Sequence, residues 1–215
     1  MRKTIIIFVS IVLATLSAKS LASGDAEAGQ TKSATCMGCH GLAGNSTMPN
    51  FPKLAGQGEG YILKQLQEFK SGARDNAIMG GVATLLSEQD MMDIAAYYSI
   101  QTISENSAKA DEKTIELAQK IYLGGKKDTQ TTACIACHGP KGLGIPSAKF
   151  PSLSAQNAEY IAAQLKAFRQ YSINEQTGSD DLARDNDYEG MMRNVAKGLT
   201  TIEIEALAQY VAGLH

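Results

Sequence analysis

Cys36-Met37-Gly38-Cys39-His40 and Cys134-Ile135-Ala136-Cys137-His138 are two copies of one pattern, 98 residues apart. Two thiols three positions apart, on a short helical turn, can each form a thioether with one vinyl group of a haem. The histidine that follows then lies under the iron and can bind it through an imidazole nitrogen. One such pentapeptide is moderately specific. Two, at matching positions of a repeat, are strong evidence for two covalently bound haem c groups, held by Cys36 with Cys39 and by Cys134 with Cys137, with His40 and His138 as ligands. Three other readings fit less well. A disulfide framework leaves the histidine after each pair unexplained. A redox-active cysteine pair usually accompanies a βαβ pattern, and none is visible. A four-cysteine zinc site would have to bridge two copies that each look self-contained.

The repetition extends well beyond the motif. Phe51-Pro52-Lys53-Leu54 returns as Phe150-Pro151-Ser152-Leu153, at an offset of 99. Gln57, Tyr61, Gln65, Leu66 and Phe69 return at the same offset as Gln156, Tyr160, Gln164, Leu165 and Phe168. Later the offset becomes 113, where Leu86 matches Leu199 and Tyr97 matches Tyr210. The second copy therefore carries 14 extra residues around Tyr171 to Glu189, polar and rich in Asp, which read as a surface loop. The order and extent of the matches indicate tandem duplication.

Each copy reads as helical. Ile62, Leu63, Leu66 and Phe69 share a helical face, as do Ile161, Leu165 and Phe168. Ser87 with Asp90, and Thr200 with Glu203, are capping-box patterns that open the last helix of each copy. A first helix is expected over 26–33, with its counterpart around 112–122. Segments dense in Gly, Pro and Asn, such as 41–50, separate the motif from the middle helix, and the polar stretch 99–113 reads as a linker. No convincing strand appears, so the fold class is all-α, in two domains, 23–105 and 106–215. Hydrophobic residues make up 44% of the chain but aromatics only 6%, with no Trp. A large flat cofactor in each core supplies the buried apolar surface that the side chains lack.

Counting narrows the second axial ligand. The chain has three histidines, and the one outside the motifs, His215, is the last residue. Two bis-histidine haems are therefore impossible from this chain alone. Methionine is the usual partner of histidine where electron transfer is the function. Of the eight methionines, Met79 lies eight residues before Ser87 and Met192 eight before Thr200, which makes them the matching pair. Met191, adjacent, is the chief alternative to Met192. Met91 and Met92 read as core methionines of the last helix, and Met48 has no methionine counterpart.

The first residues read as an export signal. Arg2 and Lys3 precede a nearly continuous apolar run from Thr4 to Leu16, and Ser20-Leu21-Ala22 offers small residues for cleavage after Ala22. The run of about 13 residues is short of the roughly 20 that span a bilayer. Removing Arg2, Lys3 and Lys19 takes the net charge from −2 to −5, a balance that argues against a nucleic-acid partner.

With these residues in view the chain resembles the cytochrome c4 family, bacterial dihaem proteins with two class I cytochrome c domains. The likeness runs from Gly24-Asp25 to Gly213-Leu214-His215. It includes Gly44-Asn45-Ser46, the run from Asn50 to Gln57 and the closing Tyr210-Val211-Ala212. The resemblance implies His40–Met79 and His138–Met192 as axial pairs, with the carbonyls of Pro52 and Pro151 accepting a hydrogen bond from the second nitrogen of each histidine. It also implies periplasmic electron transfer from a quinol-oxidising complex to a terminal haem–copper oxidase, compatible with peripheral membrane association. A dihaem peroxidase would need an openable iron site and acid–base groups beside it, and no internal histidine is spare. A haem subunit of a larger redox complex is the other alternative.

Overall fold

The computed structural model describes residues 24–215, so the expected leader, 1–22, lies outside the described residues. The first copy contains α1 (Ala26–Lys32), α2 (Met37–His40), α3 (Glu59–Ser71), α4 (Ala77–Thr84) and α5 (Glu88–Ser99). The second contains α6 (Glu112–Gly124), α7 (Ile135–His138), α8 (Ala158–Thr177), α9 (Met191–Ala196) and α10 (Thr201–Ala212). Among the described residues there is no strand, only two isolated bridges, Lys126 with Thr131 and Ile145 with Phe150. No described helix is long and apolar enough to cross a membrane.

Both capping boxes form. The Asp90 N–H donates to Ser87 Oγ at 3.1 Å and the Ser87 N–H to Asp90 Oδ2 at 2.9 Å. Thr200 and Glu203 repeat the exchange at 3.2 and 2.7 Å. Each satisfies two backbone donors that a helix start otherwise leaves open. The helices so started carry the two cores. In the first, Met91, Ile94, Ala95 and Tyr98 of α5 pack on Ile62 and Leu66 of α3. Met91 is 0% exposed, which fits the reading of a core methionine. In the second, Ile204, Leu207, Ala208 and Val211 of α10 pack on Ala118, Ile121 and Tyr122 of α6 and on Ile161 and Ala162 of α8.

Helix α1 closes the first core by crossing α5 at close range. A Cβ built on Gly29 would lie 2.0 Å from the carbonyl oxygen of Asp93 and 2.8 Å from the Tyr97 Cβ. The crossing is pinned by Asp93, whose carboxylate accepts from the Asp25 N–H at 2.8 Å, from Lys32 and from Gln89. The Asp25 amide and Lys32 hold that carboxyl below the usual range.

Of the stretch 99–113 expected as a linker, Ser99 ends α5 and Glu112 and Lys113 begin α6, and the residues between are strapped down. Asn45 Nδ2 donates to the Thr102 carbonyl at 3.0 Å, and the Ser104 N–H to Asn45 Oδ1 at 2.7 Å. The buried Lys53 reaches the Ser104 carbonyl at 2.6 Å.

The inserted residues differ from expectation. They are not simply a surface loop: α8 runs on to Thr177, and the chain then returns to place Arg184 against the first domain. The Arg74 N–H bonds to the Glu68 carbonyl, and the Arg184 N–H to the Ala167 carbonyl, each at 3.0 Å. Glu68 and Ala167 are repeat mates, and 11 of the 14 extra residues lie between Ala167 and Arg184, an excursion that leaves Arg184 where the first copy has Arg74. The guanidiniums lie over Phe69 and Phe168 at 4.5 and 4.4 Å. Arg74 donates to Gln65, Gln164 and the Tyr160 hydroxyl. Arg184 donates to Gln164, Gln65 and the Tyr61 hydroxyl. The interface is thus reciprocal, as two copies of one surface pattern permit.

Two outcomes follow from this packing. Gly29→Ala forces α1 away from α5 and should destabilise the first domain by on the order of 1–3 kcal/mol, read as a lowered denaturation midpoint. Arg184→Ala removes charged hydrogen bonds across the interface, each contributing about 1.5–3 kcal/mol. Its calorimetric transition should split into two, and Arg184→Lys should not restore a single one, because an ammonium lacks the planar fork.

Candidate haem-binding sites

Each motif folds as one helical turn. In α2 the His40 N–H donates to the Cys36 carbonyl at 2.9 Å, and in α7 the His138 N–H to the Cys134 carbonyl at 3.0 Å. Gly41 and Gly139, at φ of 76° and 74°, then turn the chain out of the helix, a backbone conformation that suits glycine. A Cβ on Gly41 would meet the Asn45 carbonyl oxygen at 2.3 Å. The four cysteines are free and half-buried. Among the described residues no three His, Cys, Asp or Glu side chains are grouped to hold a metal ion, so the two cysteine pairs do not meet in one zinc site.

The histidines are buried, at 6% and 5% exposure. His40 Nδ1 lies 2.9 Å from the Pro52 carbonyl oxygen and His138 Nδ1 2.9 Å from that of Pro151. A carbonyl only accepts, so each Nδ1 carries the proton and each Nε2 keeps its lone pair. Burial pushes both imidazoles towards the neutral form, the proline carbonyls opposing it in part. Burial also raises the Cys36 thiol, and that of Cys134 to about 11. Two half-buried thiols and a neutral imidazole with a free, fixed Nε2 fit a covalently attached haem with an iron–imidazole bond. The buried Tyr98 hydroxyl, without a hydrogen-bond partner among the described residues, lies in the core that Cys36 packs against.

Both methionines lie in helices. Met79 lies in the first turn of α4, whose N-cap Asn76 accepts from the Met79 N–H at 2.9 Å. It packs, partly buried, against the same core as Cys36, Leu54 and Leu63. Met192 lies at the start of α9 and is half-buried, while the adjacent Met191 is 40% exposed. Asp187 orients that helix start, accepting from the Arg193 N–H at 3.0 Å and from its Nε at 2.7 Å. His215 is exposed.

Behind each site stands a residue that the sequence reading quoted only as a repeat landmark. The Lys53 N–H, on the peptide whose carbonyl receives His40, donates to Gln156 Oε1 at 2.8 Å, and Gln156 Nε2 donates to the Lys53 carbonyl at 2.9 Å. The Ser152 N–H donates to Gln57 Oε1 at 2.8 Å, and Gln57 Nε2 to the Ser152 carbonyl at 2.9 Å. Asn157 adds a grip in one direction only, donating to the carbonyls of Ser46, Met48 and Phe51. Its repeat mate is Gly58, which has no side chain to return the contact.

These features can be set beside known proteins. The family model described as Cytochrome c matches residues 26–101 and 122–215. The chain is 46% identical to cytochrome c4 of Stutzerimonas stutzeri, over 90% of this chain and 91% of that protein. The crystal structure of reduced recombinant cytochrome c4 from Pseudomonas stutzeri aligns with a TM-score of 0.81 at 44% identity, covering 90% of this chain and all of that one. A more distant relative, a thiosulfate dehydrogenase electron acceptor of Stutzerimonas stutzeri (strain A1501), is 35% identical over 83% of this chain and 78% of its own length. The duplicated helical fold, the paired donor sets and these similarities together show that the chain belongs to the cytochrome c4 family of electron carriers, with two covalently bound haem c groups.

Proposed function

We propose that the chain is an exported respiratory electron carrier in which His40 and Met79 ligate one haem iron and His138 and Met192 the other. Cys36 and Cys39 anchor the first haem within residues 23–105, and Cys134 and Cys137 the second within residues 106–215, after removal of residues 1–22 on the way to the periplasm. The observation that carries this reading is one donor set built twice: a buried imidazole with Nε2 free, two thiols on the same turn, and a methionine at the matching repeat position.

The bound haem supplies one-electron exchange at its iron. The chain's own residues make that exchange simple. His40 with Met79, and His138 with Met192, would hold the two irons and leave no ligand position open to a substrate. Histidine–methionine ligation raises the potential, suiting a carrier that delivers to a strong oxidant. By family resemblance the donor is a quinol-oxidising complex and the acceptor a terminal haem–copper oxidase. The relative named as a thiosulfate dehydrogenase electron acceptor favours a second reading, in which electrons enter from a sulfur-oxidising dehydrogenase.

Met79→Ala and Met192→Ala should each turn one of the two haems high-spin and lower its potential, leaving the other unchanged in spectroelectrochemical titration. Met191→Ala should leave both spectra as they are. An unaltered spectrum in Met79→Ala or Met192→Ala would remove that residue from the ligand set. Membranes bearing the oxidase should oxidise the reduced protein in a cyanide-sensitive manner. Reduction of the oxidised protein by thiosulfate with its dehydrogenase, and not by quinol-oxidising membranes, would favour the second donor.

A further inference from the structure

Both axial histidines donate into a peptide group that the opposite domain holds from behind. The Pro52–Lys53 peptide accepts from His40 through its carbonyl and donates through its N–H to Gln156 of the second domain. The Pro151–Ser152 peptide accepts from His138 and donates to Gln57 of the first domain. Each glutamine also returns a bond to the next carbonyl, at 2.9 Å in both cases, so its amide is held at two points. The glutamines are repeat mates, as are Lys53 and Ser152, and both glutamines are buried.

Hydrogen bonds in such a chain polarise one another. A peptide whose N–H is engaged by an acceptor presents a more negative carbonyl oxygen. A stronger acceptor at Nδ1 draws the imidazole towards imidazolate character, makes Nε2 the more basic ligand, and favours the more highly charged iron. Neither glutamine bonds to an axial histidine directly; each acts through one peptide.

We propose that Gln156 and Gln57 are crosswise positioning residues: each, from its own domain, sets the donor strength of the axial histidine in the other. Each haem's potential then depends on the closed interface, because a separated domain lacks the amide that polarises its histidine's acceptor. The inference rests on His40 and His138 being iron ligands.

The test uses the full-length holoprotein, reduced and diamagnetic, and follows the imidazole Nδ1–H resonances by 1H–15N NMR. Three histidines in the chain keep that spectrum simple. Gln156→Met should move the His40 Nδ1–H upfield, leave that of His138 in place, and raise the potential of the first-domain haem alone. Gln57→Met should do the mirror image. Gln156→Glu keeps a stronger acceptor for the Lys53 N–H and should move the His40 resonance the opposite way. A response in the histidine of the substituted domain, an equal response in both, no response, or the same direction for Met and Glu would overturn the proposal. If the variants do not mature, amide exchange in the wild type decides. The Lys53 and Ser152 N–H groups should exchange at least about tenfold more slowly than exposed loop amides, and exchange at the exposed rate would overturn it. A failure of the ligand assignment itself is visible beforehand, since a histidine not on iron would lack the ring-current shift of an axial ligand in the wild type.

Discussion

A single hydrogen bond in each domain, from histidine Nδ1 to a proline carbonyl, sets the terms for everything around it. It fixes the tautomer, so that Nε2 keeps the lone pair that would bind a haem iron, and it fixes the ring's rotation. For that bond to form, the loop carrying the proline must be stationary. Proline contributes a locked φ. The remaining rigidity comes from outside the loop: in the first domain the strap of residues 100–111 against Asn45 and Lys53, and in both the opposite domain's glutamine. The cysteines need only a helical turn, which the motif makes by itself, whereas the acceptor for the histidine comes from 12 or 13 residues further along the chain.

Duplication explains why the support is reciprocal. Two copies of one surface meeting face to face bring residue i against j and j against i, and any favourable contact is made twice. The glutamine pairs and the Arg74 and Arg184 clusters both follow this rule. The extra residues before Arg184 do not break it, since the Arg184 N–H returns to Ala167 as the Arg74 N–H does to Glu68. Asymmetry enters where the side chains differ, as at Asn157, which grips the loop bearing Phe51 while Gly58 returns nothing. The two haems of one duplicated fold therefore have unequal surroundings, a source of unequal potentials.

The same economy describes the coordination. Beyond the two motif residues the remaining histidine is His215, and methionines stand at matching positions of the two copies, the thioethers proposed for the two irons. Closed coordination suits electron transfer because nothing has to bind or leave when the charge changes. Both candidate methionines sit in the first turns of short helices whose starts are tied by Asn76 and by Asp187, so the thioethers are carried on fixed backbone rather than on loose loops.

Much of this was legible in the residues alone. The repeated Cys-x-x-Cys-His, the capping boxes and the helical stripes are local patterns, readable because hydrogen-bond spacing and helical period act over a few neighbours. Aligning the two copies separated the core methionine Met91 from the matched pair Met79 and Met192 without any coordinates. The partners of Gln57, Gln156, Arg74 and Arg184 were not legible. They lie about 90 to 120 positions away, and a polar side chain carries no sign of which distant amide it will meet. For the same reason the inserted segment read as a solvated loop when its Arg184 belongs to the interface. Local chemistry in the sequence determined what the chain binds and in what fold. Only the tertiary structure, by bringing together groups that no periodicity connects, decided which domain supports which histidine.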